Sequence, residues 1–291
     1  MNTEIEIKGI NNKDYINKII NDINDFLQLI IKYTNKNIIE EVKLKKIIIT
    51  NDYCKTINEI ENDGNNIYDS QRYKNLAIAK IVKFNDNTNG IVFDLLYYIG
   101  LRNYGIDVSF YYLAHEFGHL INKYEMADIT DYIDNEGNNN LKLIKNMYDE
   151  YSVFRFASNI VEKPYSEAFK NYILDSYNSF VEELNNKDNF YNLLLQECLK
   201  VQNGLSDNIQ FFKNCGEAIN SIFTDIVYIF AKIDSFDFIK KEFNKNSNIL
   251  FVNNYALKWI DRYRFWYENK KVNVCDGLEE FIDFYNNLGA Y

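Results

Sequence analysis

The chain has 291 residues, long enough to bury the core of one or two domains without disulfide support. Its residues are 47% hydrophobic and 16% aromatic, which excludes the polar, aromatic-poor composition of a disordered chain. Lys and Arg number 32 against 42 Asp and Glu, a net charge of −10, so neither nucleic acid nor an anionic membrane surface is an expected partner.

Residues 1–10 alternate polar and apolar side chains and lack the basic flank and apolar core of a secretory signal, so the chain reads as cytoplasmic. Across residues 14–33, Ile16, Ile19, Ile20, Ile23, Phe26, Leu27 and Ile30 recur at helical spacing and predict an amphipathic helix. Residues 42–50 read as a strand because Ile47, Ile48 and Ile49 are consecutive β-branched side chains, and a short helical piece is expected over 55–61. Residues 76–84 and 91–98 read as two strands of an antiparallel hairpin, joined by the Asn, Asp and Gly of 85–90. The second of these strands leads towards a helix over 108–124 and is a candidate sheet edge for an extended peptide.

Gly137 and the neighbouring asparagines predict a loop over 131–140, with a helix after it over 141–163. The single proline, Pro164, marks a change in character, because residues 165–291 are helical in pattern with no convincing pair of strands. The expected division is therefore 1–163 and 164–291. The most apolar late stretch, 221–233, is interrupted by Asp225 and is too short to cross a bilayer. Trp259, Tyr263, Phe265, Trp266 and Tyr267 read as helix core. Cys54, Cys198, Cys215 and Cys275 form no C-x-x-C pair and read as reduced, mostly buried packing residues. The elements together predict an α+β fold: a small antiparallel or mixed sheet with helices, then a mostly α-helical C-terminal region.

Chemistry is concentrated in one segment. His115-Glu116-Phe117-Gly118-His119 fits H-E-x-x-H, and these are the only two histidines present. Chance placement of two histidines at this spacing, with Glu correctly set between them, has a probability of roughly one in two thousand. Residues four apart stand one above the other on a helix, so both imidazoles can face a single metal ion. Imidazole donors favour zinc, and Glu116 is placed to take the proton of an attacking water.

A catalytic zinc needs a third protein ligand, which cannot be a histidine here. Glu150 is the leading candidate, since it shares a predicted helix face with Leu143, Met147, Phe154 and Ala157, where an uncompensated carboxylate is costly. Glu125 is the alternative: it stands six residues after His119, the spacing of the extended metzincin pattern, with Asn122 in the place of its glycine. Tyr151 and Arg155 are candidate helpers for the oxyanion formed on hydrolysis.

The segments AHEFGHL, residues 114–120, and DEYSVFRFA, residues 149–157, resemble the ImmA/IrrE-type and related gluzincin metallopeptidases. That resemblance implies a zincin-like catalytic domain in which His115, His119 and Glu150 bind Zn2+ and Glu116 is the base. It also implies a protein or peptide substrate, in some such families a single regulatory protein. The other reading is a non-catalytic regulatory or interaction protein that keeps this framework around a structural metal.

Overall fold

The computed structural model describes residues 3–35, 37–61, 79–186, 196–197, 199–205, 207–245, 249 and 251–287. The alternating run Glu4–Lys8 forms strand β1, an element not among those expected from the sequence. It pairs in parallel with β2, Leu44–Thr50, and β2 pairs in parallel with β4, Asn89–Asp94. Strand β3, Ala79–Lys83, pairs antiparallel with β4, completing the order β1-β2-β4-β3 and an α+β fold with a mixed sheet. Ile47, Ile48 and Ile49 of β2 are all buried, so both sheet faces are covered, as an uninterrupted β-branched run requires.

Three helices accompany the first two strands in sequence: α1 (Lys13–Tyr33), α2 (Ile38–Glu41) and α3 (Tyr53–Glu61). Asn12 begins α1 by accepting a hydrogen bond from the Tyr15 N–H, and the helix buries Ile19, Ile23, Phe26, Leu27 and Ile30 on one stripe. Tyr53 and Ile57 of α3 pack with Ile48, Val82 and Val92, one residue from each of three strands.

The expected hairpin forms. Phe84 N–H donates to the Thr88 carbonyl at 2.9 Å, and the Asp86 carboxylate accepts from the Thr88 backbone and hydroxyl. Gly90 permits close approach of its neighbours, because a Cβ there would lie 2.8 Å from the Phe84 ring and 3.1 Å from the Lys46 carbonyl oxygen.

The second strand is shorter than its pattern suggests. Asp94 accepts from the Tyr97 N–H and caps a new helix, α4 (Leu95–Tyr104), so the last residues of the expected strand are helical. Strand β4 also has partners on both sides, which makes it an interior strand and removes it as a docking edge for peptide.

Helix α5, Ile106–Glu125, carries the H-E-x-x-H segment. Val108, Tyr111, Leu113, Ala114, Phe117, Leu120 and Ile121 are buried around nearly its whole circumference, the pattern of a helix enclosed by its domain. Phe26 of α1 meets Phe110 of α5 with ring centroids 6.0 Å apart.

The expected loop over 131–140 is mostly helical instead: α6 spans Ala127–Glu136 and α7 spans Asn139–Ile160. Ile133 and Leu141 are buried with Val274, and Ile129 packs against them, so apolar burial overrides the local turn preference of Asn and Asp. Gly137 ends α6 with φ at 64°.

The chain divides into two compact units, one comprising Met1–Ala127 with Phe156–Tyr172, the other Asp128–Arg155 with Ile173–Tyr291. The line between these two units runs through α7. The described part of the second unit is helical, with α6, most of α7, most of α8 (Glu167–Asn185), then α9 (Asn208–Ser235), α10 (Asp237–Lys245), α11 (Asn254–Asn269) and α12 (Leu278–Asn286). Its core is aromatic: Trp259 stacks on Phe284 at 5.3 Å, and the Tyr263 hydroxyl donates to the Ile144 carbonyl at 2.8 Å. Trp259, Tyr263 and Trp266 pack as expected, whereas Phe265 is exposed.

Cys54 is half-buried and Cys275 exposed, and neither is in a disulfide; the burial expected of cysteine fails at Cys275, which lies in the connection between α11 and α12. Cys198 and the side chain of Cys215 lie outside the described residues. No helix among the described residues is long and apolar enough to cross a membrane.

Candidate metal centre

The centre begins with one helical turn. His115 and His119 lie on the same face of α5, their Nε2 atoms 3.1 Å apart and their rings nearly perpendicular at 89°. The buried neighbours Leu113, Ala114, Phe117 and Leu120 hold the helix on either side of them, so packing sets the direction of both rings. His115 is buried, while Glu116 and His119 are half-buried.

Glu150 of α7 completes the group: ligand atoms of His115, His119 and Glu150 all lie within 4.8 Å of one another. This donor set suits a divalent ion. Two nitrogens bound tetrahedrally to zinc at about 2.0–2.1 Å stand roughly 3.3 Å apart, close to the observed spacing of the imidazoles. Two nitrogens and a carboxylate oxygen are also a chemically sound set for zinc, and they leave a position for a non-protein ligand.

Glu150 does not stand alone within its own unit. Its Oε2 accepts a hydrogen bond from the Tyr228 hydroxyl of α9 at 3.2 Å. Nothing in the sequence marks Tyr228, which sits in a helical stretch with no motif around it. The other candidates are placed differently. Glu125 is exposed, as the last residue of α5, and is not in the metal-binding group. The Tyr151 hydroxyl donates to Asp234 at 2.7 Å and accepts from Arg155 Nη1 at 3.1 Å. Arg155 lies over the Tyr267 ring, 4.4 Å from its centroid, and Arg264 donates to both oxygens of Asp234. Burial, then the Asp234 charge, hold the Tyr151 phenol well above its ordinary pKa, so it stays neutral.

One turn beyond Tyr228 on α9, Lys232 is 1% exposed, its ammonium 4.5 Å from the Phe154 ring centroid and 5.1 Å from that of Phe180. Burial pushes its pKa down to about 7. The folded value is therefore below the unfolded one of about 10.4, and the unfolded chain binds more protons in between. The resulting penalty is full below the folded pKa and disappears as pH rises through that window. Lys232→Met is expected to raise the melting temperature at pH 7 by several degrees, with the gain shrinking towards pH 10. Thermal unfolding across pH checks this, and a gain independent of pH would assign the effect to packing instead.

No protein-family model matches the chain, and no curated protein or solved structure is detectably similar to it.

Proposed function

We propose that this chain is a zinc-dependent metallopeptidase with a zincin-like catalytic domain of the gluzincin type. The observation that carries the reading is the convergence of His115, His119 and Glu150 to within 4.8 Å, with Glu116 next to the first of them on α5. These three side chains would hold the ion. Bound there, zinc supplies Lewis acidity, polarising a substrate carbonyl and lowering the pKa of water.

The chain's own part is proton transfer. The Glu116 carboxylate takes a proton from the water that adds to the peptide carbonyl, then returns it to the departing amine nitrogen as the C–N bond breaks. A peptide substrate is what the resemblance of residues 114–120 and 149–157 to gluzincin metallopeptidases suggests. The alternative of a purely structural metal is less well supported, because a structural site is normally closed by four protein donors. Among the described residues the group has three.

Two measurements test the reading on the full-length protein. Elemental analysis should find zinc at one ion per chain after purification in zinc-containing medium. Hydrolysis of an unfolded protein such as casein should stop on addition of 1,10-phenanthroline and return on addition of Zn2+. A chain that takes no zinc and is indifferent to the chelator is not a zinc peptidase.

A further inference from the structure

We infer that Tyr228 is a positioning residue for the third metal ligand, holding the Glu150 carboxylate in the orientation that meets the ion. The inference rests on the proposed zinc site and concerns how that site is built. A glutamate side chain has three torsions, and a ligand that swings freely loses entropy each time it engages a metal. The phenol hydroxyl of Tyr228 donates to Glu150 Oε2 at 3.2 Å and so restrains the position of that oxygen.

The phenol is itself held. Phe154 approaches the Tyr228 ring at 4.8 Å and 68°, and Phe180 approaches it at 5.0 Å and 69°, both edge to face. Phe154 stands one turn from Glu150 on α7, so the helix that presents the ligand also helps to clamp its donor. Thr224, one turn before Tyr228 on α9, donates its hydroxyl proton to the Asn220 carbonyl at 2.8 Å and sets the hydroxyl oxygen 3.8 Å from the sulfur of Met147. The contacts therefore advance together along α7 and α9, which run in the same direction and keep residues 150 and 228 in register.

Tyr228→Phe removes one oxygen and keeps the ring between Phe154 and Phe180. The expected result is a ten- to hundredfold loss of zinc affinity, of the order seen when outer partners of metal ligands are removed. Competition against a chromophoric chelator, with Zn2+ alone as the probe, measures it. Co2+ loaded in place of zinc should show altered visible absorption bands in the variant, a change that loss of stability alone would not produce. In a Glu150→Gln background the second substitution should add nothing, because the ligand it orients is gone.

Wild-type zinc affinity and an unchanged Co2+ spectrum in Tyr228→Phe would overturn the positioning role and leave the zinc site standing. Equal losses from Tyr228→Phe with and without Glu150 would also overturn it, since the effect would not pass through that carboxylate. A wild-type chain that binds no zinc would instead overturn the site itself.

Discussion

Glu116→Gln should retain full zinc content and lose peptide hydrolysis by about a hundred- to ten-thousandfold, the range contributed by a positioned general base. The substitution is nearly isosteric, so it leaves α5 and its two imidazoles in place. It replaces a carboxylate that accepts a proton with an amide that does not. The loss should fall on kcat with little change in KM, because the proton moves in the transition state and not on binding. Elemental analysis and steady-state kinetics on the same preparation provide the check. Zinc retained together with wild-type turnover would remove Glu116 as the base and assign the proton transfer to another group.

His119→Ala should abolish the stabilisation that zinc confers. At free zinc a thousandfold above its Kd, a protein that binds only when folded gains about 4 kcal/mol, visible as a rise of several degrees in melting temperature. With one of two imidazoles removed, the variant should show no rise at the same concentration. The same assay separates the two carboxylates. Glu150→Gln should lose most of the zinc-dependent shift, whereas Glu125→Gln should keep it, since Glu125 is exposed at the end of α5. The reverse result would transfer the third ligand to Glu125.

Much of this centre was legible along the chain because its first three residues are local. His115 and His119 are related by a single helical turn, and the apolar spacing of Leu113, Phe117, Leu120 and Ile121 already demanded a helix there. Glu150 was legible less directly, as a carboxylate set among apolar residues on one face of a predicted helix. Tyr228 was not legible at all, since its partner lies 78 residues away.

The same contrast runs through the fold. The hairpin of β3 and β4 arises from turn residues between two apolar runs. Strand β1 carries only a short alternation, and its role depends on pairing with β2, where Glu4 meets Lys46. A parallel partner that remote leaves no local mark. At residues 95–98 the apolar run fits strand or helix equally, and the Asp94 side chain decides by capping the backbone. At 131–140 the polar composition argued for a loop, and burial of Ile133 with Leu141 and Val274 made a helix of it.

By itself the sequence determined the α+β class, the helical character of the C-terminal half and the pairing of two imidazoles around a candidate base. These come from interactions between residues a few positions apart, where backbone periodicity alone sets direction. Tertiary structure decided that Glu150 joins the imidazoles, that Tyr228 holds Glu150, and that Tyr151 and Arg155 face Asp234 and Tyr267. Those outcomes depend on how separate helices pack, and the volume and shape of many side chains set that packing, which no local pattern records.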